Sequence, residues 1–180
     1  EFDDNEFLVM ITRKGVVKRL PFVALKTNRK GGIRAITLEE GDHLINVIRT
    51  TGNDNIILAT AQGMAICFNE NDVRCMGRDA AGVRGITLNE GDIVVGAQKW
   101  EEGKTLLTVT ENGYGKRTTT DKFNLQHRGG KGIIGMETKE EDHVEHLFNA
   151  DSHDIIFFFT DRGFMYWLNV YEIPEGSRTG

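Results

Sequence analysis

Two short patterns return at a fixed beat along the chain, and together they narrow what it can fold into more than any other feature. Thr-x-x-Gly occurs at Thr12 and Gly15, Thr60 and Gly63, Thr110 and Gly113, and Thr160 and Gly163, in steps of 48, 50 and 50 residues. A second marker keeps the same beat: Gly32-Ile33-Arg34-Ala35-Ile36, Gly82-Val83-Arg84-Gly85-Ile86 and Gly132-Ile133-Ile134-Gly135-Met136 lie 50 residues apart. Two markers in phase at such a period identify repeated supersecondary units that bury their apolar faces only by stacking. Each unit opens on an apolar run (Phe7 to Ile11, Ile56 to Ala59, Leu106 to Val109, Ile155 to Phe159) and turns at the glycine into a second extended run. That is a hairpin with the glycine in the left-handed position of a short loop.

After the hairpin come a polar connection, the Gly-x-Arg segment, a Glu-Gly-Asp turn (Glu40 to Asp42, Glu90 to Asp92) and a fourth run such as Leu44 to Ile48 or Ile93 to Ala97. His143 to Asn149 has a helix-compatible local pattern, but its equivalents in the other units argue for strand. Four short strands in about 50 residues match the blade of a propeller. The expectation is a single all-β, propeller-like domain over residues 1–180, with units at about 6–54, 55–103, 104–153 and 154–180. Three and a half four-stranded blades do not close a ring, which suggests a fragment of a longer protein. Twenty-one glycines against two prolines, without a triplet period, fit many short strands. A β-sandwich with accidental periodicity is the structural alternative.

The sequence contains no apolar run of about 18 residues, so no membrane is expected as a partner. The acidic start, Glu1-Phe2-Asp3-Asp4-Asn5-Glu6, lacks a basic-then-apolar leader, and a cytoplasmic, nucleoid-associated location is the expectation. Cys67 and Cys75 have no companion ligands and are expected to be reduced. The net charge of −5 suits a nucleic-acid binder only if the cations are segregated. They are: Arg13, Lys14, Lys18, Arg19, Lys26, Arg29, Lys30 and Arg34 occur with no acid between Arg13 and Leu38. Gly113 to Met136 holds Lys116, Arg117, Lys122, Arg128 and Lys131 against Asp121 alone, whereas Glu137 to Asp154 holds seven acids and one base. In the middle unit Glu70, Asp72 and Asp79 stand against Arg74, Arg78 and Arg84. Repetition is expected to align the basic segments along one rim.

Gln126-His127-Arg128-Gly129-Gly130-Lys131-Gly132 is the densest candidate site, an exposed glycine-rich turn with two fixed cations that suits a phosphate. It is no nucleotide-binding P-loop, since Leu125 and Gly132 stand where that motif needs Gly and Ser or Thr. His143, His146 and His153 lack a metal-ligand frame, and no nucleophile motif occurs, so neither catalytic residues nor a metal site is expected. Trp100, Tyr166, Trp167 and Phe157 to Phe159 have strand spacing and are expected in the core.

Gln126 to Gly132 resembles the seven-residue box, usually written QRRGGKG, of the C-terminal DNA-wrapping domain of the DNA gyrase A subunit. Asn112-Gly113-Tyr114-Gly115-Lys116-Arg117 and Val83-Arg84-Gly85-Ile86 are similar to segments of the same domain, and the likeness covers the whole chain. It departs in two places: His127 stands where Arg is common, and the box lies in the third unit where the family usually has it in the first blade. The resemblance implies a β-pinwheel whose blades exchange strands and a non-catalytic module that wraps double-stranded DNA without regard to sequence. ATP, Mg and the cleavage tyrosine would belong to other parts of an ATP-dependent type IIA topoisomerase, with the rest of the gyrase A subunit and the gyrase B subunit as partners. Topoisomerase IV's equivalent domain, used in decatenation, and a propeller scaffold for an acidic protein are the alternatives. The residues expected to touch DNA are Gln126 to Gly132 with Lys14, Lys18, Arg19, Arg29, Lys30, Arg34, Arg84, Lys116 and Arg117.

Overall fold

The structure, a computed structural model, describes residues 3–177. The first unit contributes β1 (Phe7–Thr12), β2 (Val16–Pro21) and β3 (Leu44–Thr50); the second β4 (Asn55–Thr60), β5 (Met64–Asn69), β6 (Val83–Arg84) and β7 (Val94–Trp100). The third contributes β8 (Thr105–Thr110), β9 (Gly115–Thr119), β10 (Ile133–Ile134) and β11 (Val144–Ala150), and the fourth β12 (Ile155–Phe159) and β13 (Met165–Asn169). A short 3-10 turn follows each hairpin, at Phe22–Leu25, Glu70–Asp72, Thr120–Lys122 and Val170–Glu172. His143 to Asn149 falls largely within β11, as its equivalents required.

The repeated residues build the repeated turns. In all four hairpins the threonine Oγ1 accepts from the backbone N–H four residues on, at Val16, Met64, Tyr114 and Phe164, over 3.1 to 3.2 Å. Gly15, Gly63, Gly113 and Gly163 lie at φ between 80° and 82°, where a side chain would be strained. The aspartates that close the next turn are buried and fasten it to the hairpin. Asp42 Oδ1 accepts from Lys14 N and His43 N, Asp92 Oδ1 from Gln62 N and Ile93 N, and Asp142 Oδ1 from Asn112 N and His143 N.

Strands cross between units. The sheets run β3-β1-β2-β6, β10-β5-β4-β7, β11-β8-β9 and β12-β13, so the outermost strand of each four-stranded sheet comes from the following unit. Val16 pairs with Arg84 and Val17 with Val83; one beat later Met64 pairs with Ile134 and Ala65 with Ile133. This is the pinwheel exchange. The pattern differs from expectation at Gly32 to Ile36: this first copy of the marker forms no strand, and no sheet edge among the described residues pairs with it. At the opposite edge β3, β7 and β11 lie side by side, joined where Ala97 N donates to Asn46 Oδ1 and Gln98 Nε2 to Leu147 O.

The core lies between blades. On β4, Ile56 and Leu58 join Val9, Ile11 and Val17 of unit 1, while Ile57 and Ala59 turn the other way to Leu106, Phe123 and Leu147 of unit 3. A strand covered on both faces reads as a continuous apolar run, which is why β4 does not alternate. Leu107 and Ala150 pack similarly on Val170 of unit 4. The outward face of unit 4 differs from expectation. Phe157, Phe159, Tyr166 and Trp167 are 56 to 79 % exposed, with no further unit among the described residues packed against that face of β12 and β13. Trp100 does pack on the core, its indole N–H donating to Thr120 O.

Candidate nucleic-acid interface

In units 2, 3 and 4 the connection after the 3-10 turn leaves its own unit and lies along the outer strand of the unit before. Isolated parallel bridges join Arg19 to Cys75, Cys67 to Leu125 and Arg117 to Glu175, with Met76 N donating to Arg19 O, Gln126 N to Cys67 O and Gly176 N to Arg117 O. The turns that follow, at 76–84 and 126–134, therefore sit at the outer edges of successive sheets, away from β3, β7 and β11. A threonine of the preceding unit holds each one. Thr37 N and Oγ1 donate to Ala80 O and Asp79 O, and Thr87 N and Oγ1 donate to Gly130 O and Gly129 O.

The glycines of Gln126 to Gly132 have separate tasks. Gly129, at φ 86°, turns the chain so that its N–H reaches Gly85 O at 2.6 Å. Gly132, at φ 77°, passes so close to β5 that a Cβ would collide with the Ala65 carbonyl oxygen. The side chains then divide. Lys131 is exposed, and His127 is fully exposed with Nδ1 3.4 Å from Asp72 Oδ2. Arg128 is half-buried and turns back, donating from Nε to Asp72 O (2.7 Å) and from Nη1 to Arg84 O (3.0 Å).

Several cations expected at the rim are internal. Lys18 is fully buried, and its ammonium donates to Ala35 O, Arg78 O and Ala80 O over 2.6 to 2.8 Å. Burial pushes its pKa down, the Asp79 carboxylate pulling the other way. All three of its N–H groups are occupied, so it has neither exposure nor a donor for a phosphate. Arg19 is buried too, with Nε 3.1 Å from Glu70 Oε2, Nη1 bonded to Asn71 Oδ1, and its guanidinium over the Phe7 ring. Glu70, without exposure, also accepts from Thr50 Oγ1, Gly52 N and Asp54 N. Lys116 is buried and donates to Ser177 O; desolvation lowers its pKa, against the pull of Glu137. Arg117 is half-buried, donates to Ile173 O and lies 3.7 Å from Glu175 Oε2. Lys18, Arg19 and Lys116 are thus corrections to the expected rim: they sit on strands whose two faces are both covered.

Arg29, Lys30, Arg34 and Arg84 are exposed. Lys14 is also exposed, though its Nζ donates to Glu40 O, and it shares an open cleft between units 1 and 2 with Arg84. Lys26, Arg74 and Lys122, outside the expected set, are exposed on the same kind of connection. Their position at or directly after a 3-10 turn is the signal that would have found them. The partners Asp72 and Thr87 were not anticipated either, because they come from the unit before the turn they hold. Among the described residues no group of three His, Cys, Asp or Glu could hold a metal ion. Cys67 and Cys75 are free thiols, and burial pushes Cys67 up to about 12.

Antiparallel blades that lend an edge strand to their neighbour, with a row of basic turns on the outer edge, define a strand-exchanging propeller-type domain. The chain belongs to the DNA gyrase C-terminal domain, beta-propeller family, whose model matches residues 6–51, 54–100, 104–151 and 154–180. It is 48% identical over 179 residues to the DNA gyrase A subunit of Clostridium acetobutylicum, covering 99% of this chain and 22% of that protein. The chain thus spans about a fifth of the length of the curated relatives it matches. Among solved structures, the C-terminal domain of DNA topoisomerase IV superposes with a TM-score of 0.92 at 26% identity, covering 100% of this chain and 57% of that one. The DNA gyrase A C-terminal domain follows at 0.87 and 26%, covering 99% and 61%.

Proposed function

We propose that this chain is a non-catalytic module that binds double-stranded DNA along its outer edge, bends it, and serves a type IIA topoisomerase as the wrapping part of the gyrase A subunit. The observation that carries this is a set of exposed cations, Arg84 and Lys131 at the outer edges of successive sheets and Lys26, Arg29, Lys30 and Arg34 on the corresponding connection of the first unit. Contacts of this kind go to phosphates and are indifferent to sequence. Bending 20 to 30 base pairs by 40 to 90° costs roughly 1 to 6 kcal/mol, which released counterions must outweigh. With Lys18, Arg19 and Lys116 inside the protein, about six contacts remain, for a salt slope of roughly −5. ATP hydrolysis, strand cleavage and supercoiling would fall to the rest of the A subunit and to the B subunit of the enzyme.

The closeness of fold to the topoisomerase IV domain favours a second reading, in which the chain docks DNA without wrapping it. Both are tested together by binding the chain to a relaxed circular plasmid, relaxing the complex with an added topoisomerase, and measuring linking number. Wrapping is expected to shift linking number in proportion to protein bound, and docking to leave it unchanged. Binding to linear duplex that does not weaken with salt would sink both readings. Such a result would leave the acidic-protein scaffold.

A further inference from the structure

We propose that Arg128 is a positioning residue: it fastens the box turn onto the preceding unit, and Lys131 and Arg84 meet the phosphates. The inference rests on the DNA-binding reading above. The guanidinium donates to two backbone carbonyls of unit 2, Asp72 O and Arg84 O, at 2.7 and 3.0 Å. These bonds hold the turn at two points, one at the 3-10 turn after β5 and one at β6, and they draw the charge inward. Lys131, three residues on, is exposed and has no hydrogen bond or ion pair among the described residues.

The reason lies in what the neighbouring turn has and this one lacks. Lys18, Ile66 and Lys116 stand three residues after the hairpin glycines Gly15, Gly63 and Gly113, and so occupy one structural position. In unit 1 that position holds the next unit's turn, Lys18 donating to Arg78 O and Ala80 O. In unit 2 the side chain is Ile66, which has no N–H to give. Its Cδ1 lies 3.9 Å from where a Cβ of Gly130 would be, so it meets the box turn through packing alone. Arg128 supplies from within the turn the anchoring that Lys18 supplies at the junction of units 1 and 2. A turn anchored before DNA arrives avoids the ordering cost of binding.

Salt dependence separates an anchor from a contact. Each lost phosphate contact lowers the slope of log K against log salt by about 0.9, whereas a loosened turn weakens binding at every salt concentration alike. The variants are Arg128→Gln, Arg128→Lys and Lys131→Gln, titrated against a labelled linear duplex over a salt series, with thermal unfolding to confirm the fold. Expected is a loss of roughly tenfold for Arg128→Gln with the slope unchanged, the scale of charge-assisted bonds the turn no longer keeps. Lys131→Gln should lower the slope by about 0.9. Arg128→Lys keeps the charge and loses the fork, so it should weaken binding nearly as much as Arg128→Gln, and it carries the test if the latter fails to fold. A slope lowered by Arg128→Gln, or full affinity in Arg128→Lys, would overturn the proposal. Absence of salt-dependent binding in the unaltered protein would instead overturn the DNA-binding reading itself.

Discussion

The junction between units 1 and 2 and that between units 2 and 3 have the same backbone and opposite chemistry. At the first, β2 presents Lys18 and Arg19, the lysine holding three carbonyls and the arginine paired with a fully buried Glu70. At the second, β5 presents Ile66 and Cys67 at the same two positions, both buried in apolar clusters. The junction between units 3 and 4 returns to Lys116 and Arg117. The apolar junction is the one that carries the box. The strand exchange at the first two junctions therefore needs no particular chemistry at these positions.

The sharpest way to break the contrast is to strand the buried carboxylate. Arg19→Met should destabilise the chain by about 3 kcal/mol or more, because Glu70 is left charged, buried and without its counter-ion. The matching change at the apolar junction, Cys67→Ala, removes one small apolar group and should cost about 1 kcal/mol. Urea unfolding of both variants measures the difference. Equal losses would mean that the Arg19 and Glu70 pair contributes no more than packing.

A milder change makes the first junction imitate the second. Lys18→Ile leaves the Ala35, Arg78 and Ala80 carbonyls short of a donor, at an expected cost of about 1 to 3 kcal/mol. It should also alter the response to alkali. The pKa of Lys18 is lowered by folding from its ordinary 10.5, so between the two values the unfolded chain binds more protons than the folded one. Stability of the unaltered protein should accordingly gain from Lys18 as pH rises through that window towards 10.5, the penalty on the buried charge disappearing. In Lys18→Ile that gain should be missing from the pH profile of the unfolding free energy. An identical alkaline profile in both proteins would show that burial does not disfavour the ammonium.

These two junctions also show what a single sequence discloses. The beat was legible because Thr-x-x-Gly is local chemistry: the hydroxyl and the positive φ act within five residues, and the same signal appears wherever the turn does. The side on which a cation faces was not legible. Lys18, Lys30 and Lys131 are alike in composition, yet the first is on a strand paired at both edges and the others on a free connection. A cation inside a central strand is the clue that a charge count passes over. The exposed Phe157 and Phe159 failed as core residues for the complementary reason: apolar spacing reports that a face is built to be covered, and says nothing of whether this chain covers it.

The smallest effect concerns His127, which stands fully exposed at the box turn, 3.4 Å from the Asp72 carboxylate, while Arg128 beside it is folded back. With a carboxylate beside it the imidazole presents little net positive charge outward, so His127→Ala should weaken binding to linear duplex by less than Lys131→Gln does and change the salt slope by less than about 0.9. Asp72→Asn removes a negative charge from beside the turn and should strengthen binding slightly, and unlike Arg128→Gln it leaves the Asp72 carbonyl anchor in place. A loss in His127→Ala as large as that in Lys131→Gln would move the DNA path to the His127 side of the turn, away from Lys131 and Arg84.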